Sequence, residues 1–364
     1  MPDTQQDLVL NTDTDRPEFS LEPAMSAVQS IMLLCKYGTM SGFDSWIART
    51  YAEMTQEQRD HNCLVAVGFY HAIMPQRSWP DLPSYVAYLK SIDPVELRDR
   101  MMREYAAIHC TASEPVDRAQ IDTALASEEN YLAFLTRQFG PELVAEEMER
   151  TAYSYAVDPP AMRQIIVEHL EQMWSTWLER EWAENLPLLH EELRRVRQLD
   201  LRSGENAAIL RQLTGHDPDN DWVQERLAMA PRAVFVPHAH LGRYVRVHLQ
   251  ADTVWVFYGP SVPEGIDPHS PLLSRREMLL RAGALADETR LQIVRLISAE
   301  GEMRSGDVME RLGLSQSAAS RHLTQLVSAG YLAVRKDAGA KSYRVDPESV
   351  RTTTEAFRRY LLGL

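Results

Sequence analysis

The chain has 364 residues, of which 45% are hydrophobic and 25% are charged, an ordinary globular composition with length for two or three cores. This composition excludes a disordered chain, a collagen-like repeat and a disulfide scaffold. No stretch reaches the roughly 18 uninterrupted apolar residues of a membrane span, and the N-terminal sequence MPDTQQD lacks the positive charge of a signal peptide. We therefore expect a soluble, cytoplasmic protein with no membrane partner.

The net charge of −14 is unevenly distributed along the chain. The segment from Pro271 to Leu364 has 15 basic residues against 11 acidic ones, a net charge of +4, and the remainder has 23 against 41, or −18. A mildly basic segment attached to an acidic body is typical of a protein in which a small module contacts a polyanion and the larger part has another role.

The first part of the chain is predominantly helical. Residues 1–16 are polar and without period, which predicts a flexible arm, and a short strand is expected near Phe19. Helical period and plausible caps then predict helices at 24–36, 43–54, 56–73, 82–89, 94–110, 118–125, 128–139, 141–155 and 160–201. Pro187 is expected to bend or break the last of these helices.

The longest predicted helix has an apolar stripe that includes Trp174, Trp177 and Trp182. Such a stripe can contact a cofactor, but core packing or a dimer interface is its far more frequent use. We therefore predict packing, and no cofactor, for these tryptophans.

A change of period marks the end of the helical region. Apolar and polar residues alternate in three segments, 233–237, 243–249 and 253–258. They predict a three-stranded meander at about 233–258. Residues 259–271 contain four prolines and two glycines, which is typical of a linker between domains. The linker separates a helical regulatory or dimerisation domain, 17–258, from a C-terminal domain, 272–364.

Side-chain caps and glycine stops divide the C-terminal domain into short elements. Helices are predicted after four N-cap residues, Ser274, Asp287, Ser305 and Ser315. Gly330 ends the fourth helix, and a β-hairpin turns at Asp337 to Gly339. A final helix begins at Pro347. Its apolar stripe has no obvious place inside so small a domain and is expected to meet a partner helix; it consists of Val350, Phe357 and Leu361.

The helix that follows Ser315 has two contrasting faces. Its inward face carries Ala319, Leu323, Leu326 and Val327, and its outward face carries Ser317, Ser320, Arg321 and Thr324. A helix with short polar outer side chains fits into a DNA major groove about 12 Å wide. From this helix Gln316, Ser317 and Arg321 can reach base edges or phosphates, and the helix N-terminus favours a phosphate.

Three motifs in this order resemble the winged helix-turn-helix of ArsR-type transcriptional regulators. They are Ala284-Leu-Ala-Asp-Glu-Thr-Arg, then Leu314-Ser-Gln-Ser-Ala-Ala-Ser-Arg-His-Leu, then the basic hairpin. The resemblance covers about the last quarter of the chain. It implies a dimeric DNA-binding repressor with a recognition helix at 315–325 and a wing at 335–344. The implied DNA-binding residues are Ser315, Gln316, Ser317, Ser320, Arg321, His322, Gln325, Arg335, Lys336, Lys341 and Arg344.

The chain departs from the metal-sensing members of this family. These carry a Cys-x-Cys pair at the start of the helix before the recognition helix, where this chain has Arg304 and Gly306, and no histidine follows His322. Metal sensing within the winged helix is therefore not expected. The preceding region resembles an uncharacterised region found before such winged helices, on the runs Val234-Phe-Val-Pro and Leu241-Gly-Arg-Tyr-Val, and this resemblance implies no chemistry.

Three histidines of the N-terminal domain are candidate metal ligands. His238 and His240 are alternate residues, and His248 lies one strand away, so the three can share a face. The first two border a proline and a glycine-containing turn, and a tetrahedral site needs a fourth ligand. We predict surface or edge histidines and no metal. Inert, reduced packing residues are likewise predicted for the three cysteines, Cys35, Cys63 and Cys110.

The fold class is therefore mainly α, with a helical N-terminal domain that ends in a small meander and a C-terminal α+β winged helix. No GxSxG, Walker, GxGxxG or HExxH motif is present, so we predict no enzyme and no cofactor. The expected function is a homodimeric, sequence-specific regulator that binds double-stranded DNA. Its N-terminal domain either holds a small effector in a pocket lined by Trp, Met and Phe or provides a dimer surface. The alternative is an interaction or enzymatic N-terminal module with a winged helix that serves mainly dimerisation.

Overall fold

The computed structural model describes residues 17–37, 40, 43–107, 118–199, 201, 205–214, 221–242, 244–250, 252–260, 275–337 and 340–362. In chain order the N-terminal helices are α1 (Pro23–Tyr37), α2 (Ser45–Glu53), α3 (Gln56–Cys63), α4 (Tyr70–Ile73), α5 (Leu82–Ser91), α6 (Pro94–Ala107), α7 (Arg118–Leu125), α8 (Glu128–Phe139), α9 (Glu146–Ala156), α10 (Pro159–Met173), α11 (Glu179–Gln198), α12 (Asn206–Thr214) and α13 (Asp221–Met229). Among the described helices none is both long and apolar enough to cross a membrane.

Two of the long predicted helices are interrupted, but neither interruption is at Pro187, where a bend or break was expected. π-Helical turns at Leu64–Gly68 and Trp174–Leu178 divide them. Pro187, by contrast, lies inside α11 without ending it. Both Pro187 and Ala183, whose carbonyl loses its helical donor, are exposed. Water can therefore bond that carbonyl, which lowers the cost of the proline.

The N-terminal domain contains one sheet, and the predicted meander is wrong. Its strands are β1 (Glu18–Phe19), β2 (Arg232–Pro237), β3 (Val245–Gln250) and β4 (Thr253–Tyr258), in the spatial order β1-β2-β4-β3. β2 pairs in parallel with both β1 and β4, and β3 pairs antiparallel with β4. A meander would place β3 between the other two. Instead, residues 238–242 leave the sheet and are bound by α1 through His238 and His240, and β3 lies at the far edge of β4.

Helices cover both faces of this sheet. In β4, Trp255 and Phe257 belong to the large core that includes α1, whereas Val254, Val256 and Tyr258 belong to a second core with α11 to α13. All six residues of β4 are consequently buried. The sheet is an interior layer of the domain, unlike the half-exposed sheet that period-two alternation predicts.

The C-terminal domain is a winged helix, as predicted. It consists of α14 (Arg275–Leu285), α15 (Glu288–Glu300), β5 (Met303–Arg304), α16 (Ser305–Leu312), α17 (Gln316–Ser328), β6 (Leu332–Asp337), β7 (Ala340–Val345) and α18 (Pro347–Leu362). The three strands form an antiparallel sheet in the order β5-β7-β6. A separate core centred on Ile293, Ile297 and Leu323 holds it together. The predicted cap at Ser274, most of the predicted linker and the arm at 1–16 lie outside the described residues.

Because β4 is enclosed on both faces, we expect truncation of Phe257, whose side chain has no exposed surface, to be costly. The Phe257→Ala variant should lose about 3–5 kcal/mol of unfolding free energy, measured by urea denaturation followed by circular dichroism. Leu143 is 76% exposed, so Leu143→Ala should change stability by no more than about 0.5 kcal/mol. A similar small loss in both variants would contradict the three-layer arrangement.

Candidate nucleic-acid interface

The recognition helix α17 is defined by its two ends. Gly313 ends α16 in a left-handed conformation, φ +64°, which glycine adopts without strain. Ser315 then caps α17, since its hydroxyl accepts a hydrogen bond from the Ala318 amide at 3.2 Å. The resulting tight turn orients α17 against α16, which is the helix-turn-helix that the sequence predicted.

One face of α17 is polar and open to solvent. The buried side consists of Ala319, Leu323 and Leu326. The exposed residues are Ser315, Gln316, Ser317, Ser320, Arg321 and Thr324. These side chains are short apart from Gln316 and Arg321, so the helix surface is narrow enough to approach the edges of base pairs.

Two residues of the predicted interface lie elsewhere. Gln325 is only 2% exposed, and its amide oxygen accepts a hydrogen bond from Nη1 of Arg290 at 2.5 Å. His322 is half-buried beside Asp287, with Nδ1 3.9 Å from the carboxylate oxygen Oδ1. Both positions fall next to the inward stripe of α17. Gln325 and His322 are thus less accessible than the other predicted residues of α17.

A buried guanidinium holds α17 in place. Besides Gln325, Arg290 binds the carbonyl oxygens of Ala284 through Nε at 2.5 Å and of Gly283 through Nη2 at 3.2 Å. It also lies 3.6 Å from Asp287. Arg290 thus connects the end of α14, the start of α15 and the middle of α17. Arg290 belongs to the first of the three sequence motifs, but no local pattern shows that it positions the recognition helix.

The wing carries the other predicted basic residues. Arg335 and Arg344 are exposed and Lys341 is half-exposed, while the Cα register pairs Lys336 with Lys341. Arg335 is partly neutralised by Glu302, whose Oε1 lies 3.2 Å from Nε. A hydrogen bond from Ser342, and then the charge of Arg335, hold the pKa of Glu302 below its usual value.

The N-terminal domain touches the end of the recognition helix. The ring of Tyr244, just before β3, packs on Phe43 with centroids 5.0 Å apart. Its hydroxyl is hydrogen-bonded to Ser328. Ser328 Oγ is also 2.9 Å from the Gln325 carbonyl oxygen, to which it donates a hydrogen bond. Burial raises the pKa of Tyr244 to about 12, so the phenol keeps its proton at neutral pH.

The histidines are buried, contrary to the sequence prediction. His238, His240 and His248 are 1%, 5% and 6% exposed, because the 238–244 loop folds under α1 and the sheet is covered on both faces. His248 lies apart from the other two, beside His71 with ring centroids 6.4 Å apart. Burial lowers the pKa of His248 to about 3 and that of His71 to about 4. Both imidazoles are therefore neutral at physiological pH.

Two of the cysteines are neighbours in space. Cys35 and Cys63 are half-exposed thiols whose side chains are hydrogen-bonded to each other. Burial raises the pKa of Cys35 well above its usual value, and the hydrogen bond from Cys35 lowers the pKa of Cys63. Sequence spacing gave no indication of this pair. Cys110 lies outside the described residues.

The aromatic stripe of the long helical segment borders only a small cleft. Trp174 and Trp182 line it together with Leu178, Asn185 and His240, and its volume is about 10 Å³. This is room for about one water molecule, whereas ligand pockets measure about 300–1,000 Å³. A small effector at this stripe would therefore require the helices to move apart.

The fold and the exposed face of α17 define a winged helix-turn-helix protein. A family described as "Bacterial regulatory protein, arsR family" matches residues 287–334, which run from the N-cap of α15 into β6, and the rest of the chain matches no family. This match, together with the similarity to curated transcriptional regulators, shows that the chain belongs to the ArsR family.

Three curated relatives illustrate the similarity. A "Probable mercury resistance operon repressor" of Streptomyces lividans is 43% identical over 65 residues, 18% of this chain and 51% of the relative. "Transcriptional activator HlyU" of Vibrio cholerae is 37% identical over 76 residues, 21% of this chain and 69% of the relative. "Uncharacterized HTH-type transcriptional regulator YceK" of Bacillus subtilis is 35% identical over 75 residues, which are 20% of this chain and 75% of the relative. The chain thus spans about half the length of the mercury-resistance repressor.

If Gln325 acts inside the domain, its removal should cost stability. Gln325→Ala leaves the buried Arg290 with one acceptor fewer and should lower the unfolding free energy of the winged helix by about 1–3 kcal/mol, measured by thermal unfolding. Thr324→Ala, at the neighbouring exposed position, is the matched control and should be nearly neutral. Unchanged stability together with lost DNA affinity in Gln325→Ala would return this residue to the interface.

Proposed function

We propose that this protein is a sequence-specific, DNA-binding transcriptional regulator that acts as a repressor. The observation that carries the proposal is the exposed polar face of α17, whose opposite face is fixed in the winged-helix core. The names of the relatives, which include a repressor and an activator, support transcriptional control. Repression follows if the bound protein blocks access to a promoter.

Each part of the interface has a distinct role in this proposal. Gln316 and Arg321 read base edges in the major groove, because long side chains with planar donor groups suit base recognition. The start of α17 and the wing residues Lys341 and Arg344 contact phosphates, which set position and contribute most of the salt dependence. The net charge of +4 in the C-terminal segment agrees with this division.

Loss of Arg321 should reduce both affinity and specificity. We expect Arg321→Ala to weaken binding by about 1–3 kcal/mol, measured by fluorescence anisotropy on a site selected from genomic DNA at about 150 mM salt. Arg311→Ala is the matched control, since Arg311 is 58% exposed on α16 and pairs with Glu300. Equal affinity of Arg321→Ala and the wild type would remove α17 from the DNA interface.

Loss of a phosphate contact should have a different signature. Lys341→Ala should weaken binding to specific and nonspecific DNA alike and reduce the slope of log affinity against log salt by about one unit. The measurement is the same titration repeated over a range of salt concentrations. A change in sequence preference with an unchanged slope would show that Lys341 contacts bases and not phosphate.

We further propose that the regulator is a homodimer joined through α14 and α18, which pack against each other. Large apolar side chains remain exposed on these two helices, namely Leu279 at 44%, Tyr360 at 53%, Leu361 at 74% and Leu362 at 64%. A second copy that covers them would place two recognition helices in successive major grooves about 34–36 Å apart.

A charge in this patch should separate the subunits. Leu361→Glu should shift the protein from dimer to monomer in size-exclusion chromatography with light scattering, and it should weaken binding to a palindromic site. Leu143→Glu, at a 76% exposed position of the N-terminal domain, should leave the mass unchanged. A dimer that persists in Leu361→Glu would place the interface elsewhere.

The N-terminal domain has a regulatory role in this proposal. The hydrogen bond between Tyr244 and Ser328, and the contact between α2 and α14, connect it to the winged helix. A change in the 238–244 loop would alter the position of α17. Such a change alters DNA affinity only if the effector binds one arrangement of the domains better than the other.

A further inference from the structure

A group of buried polar side chains lies between the N-cap of α2, the first turn of α11 and the loop after β2. Asp44 and His240 are 6% and 5% exposed, and the side chain of Glu181 is 12% exposed. One oxygen or nitrogen ligand atom of each residue lies within 4.8 Å of the others. Three potential metal ligands from separate parts of the chain therefore converge at one point.

The hydrogen bonds around His238 fix the orientation of its neighbours. Its Nδ1 accepts from the backbone amide of His240 at 3.1 Å, so its Nε2 carries the proton and donates to the Ser26 carbonyl at 3.1 Å. The Ser30 hydroxyl also donates to the Ser26 carbonyl, at 2.9 Å. Ser30 Oγ is consequently an acceptor for Nδ1 of His240, which lies 2.8 Å away.

In a neutral His240 ring this network places the proton on Nδ1, and Nε2 then carries the lone pair. Among the described residues Nε2 makes no hydrogen bond of normal geometry, and its one close polar contact is Oε1 of Glu181 at 3.4 Å. A nitrogen lone pair and a carboxylate oxygen repel each other in a buried site unless a cation lies between them. Arg49 meets the other oxygen of Glu181, Oε2, also at 3.4 Å, so it does not fill this position.

The distances fit a metal ion. Zinc bonds to imidazole nitrogen and carboxylate oxygen measure about 2.0–2.2 Å, which puts tetrahedral ligand atoms about 3.3–3.5 Å apart. The separation of 3.4 Å between His240 Nε2 and Glu181 Oε1 matches this value. Asp44, within 4.8 Å, would complete the set with a shift of about 1 Å, within the reach of a side-chain rotation.

The surroundings of the cluster resemble the support that metal ligands receive in proteins. Ser30 orients the imidazole through Nδ1, and the ring stacks on Trp46 at 4.3 Å. Asn185 donates to Oε1 of Glu181 at 2.7 Å. Such partners fix the tautomer and direction of metal ligands. The 10 Å³ cleft that reaches His240 has room for one water molecule as a fourth ligand.

We propose that Asp44, Glu181 and His240 bind a divalent first-row transition-metal ion, with Zn²⁺ as the first choice. One imidazole with two carboxylates suits zinc and its neighbours, whereas Mg²⁺ prefers oxygen ligands alone. Two carboxylates and a divalent ion also give a neutral buried centre. The site differs from the candidate set of His238, His240 and His248, because only His240 takes part and the carboxylates come from distant segments.

The proposed metal site is connected to the recognition helix by a short series of contacts. Asp44 follows Phe43, which packs on Tyr244, and His240 lies in the same loop as Tyr244. An ion that fixes Asp44 and His240 therefore fixes both sides of the contact that holds Tyr244 against Ser328. The metal site itself rests on residues of the N-terminal domain and is independent of the proposed DNA binding.

The test is Zn²⁺ binding by the full chain after removal of metal with EDTA. Isothermal titration with zinc chloride, and elemental analysis after gel filtration, should show one ion per chain and a rise in melting temperature on binding. Glu181→Gln and His240→Ala should each weaken binding by more than about 100-fold, and Ser30→Ala by about 10- to 100-fold. The matched controls are Glu184→Gln and His190→Ala, exposed residues of α11, which should bind as the wild type does.

The outcomes separate the alternatives without reference to DNA. No zinc uptake by the wild type would overturn the proposal and show that a proton lies between His240 and Glu181. Uptake that is lost in the two controls but kept in Glu181→Gln and His240→Ala would assign the zinc to surface residues, and so would also overturn it. Because Glu181→Gln preserves side-chain volume, it remains informative if His240→Ala fails to fold.

Discussion

The burial of two imidazoles beneath α1 determines how the N-terminal domain is assembled. Polar rings in a dry interior must find hydrogen-bond partners, and Ser26 and Ser30 of α1 supply them to His238 and His240. These bonds take the chain out of the sheet after β2. As a result β4 pairs in parallel with β2, and β3 is displaced to the edge. The glycines assist, since a Cβ on Gly259 would lie 1.9 Å from the Gly242 carbonyl oxygen.

The winged helix likewise depends on a buried polar group, the guanidinium of Arg290. The Arg290 guanidinium is buried, and breaking a buried, bonded charge costs more than the pair contributes when intact. Its bonds to two carbonyls of α14 and to Gln325 of α17 therefore fix the angle between these helices. The outer face of α17 does not pack in the core of the winged helix, so short polar side chains can occupy it.

The same loop that carries His240 also carries Tyr244, so the two domains meet at a loop that α1 holds through hydrogen bonds. Tyr244 reaches Ser328 at the end of α17, on the far side from the N-terminal residues proposed to enter the groove.

The sequence by itself determined the local structure and the family. Caps at Ser315 and Asp287, the left-handed glycine at 313 and the 3.6-residue period depend on neighbours within a few positions, and these predictions of the winged helix held. Tertiary structure alone decided what required distant partners: the parallel pairing of β2 with β4, the burial of Gln325, and the meeting of Asp44, Glu181 and His240. No local pattern encodes these contacts, because each depends on which surfaces the packed helices bring together, over separations of 21 to almost 200 residues.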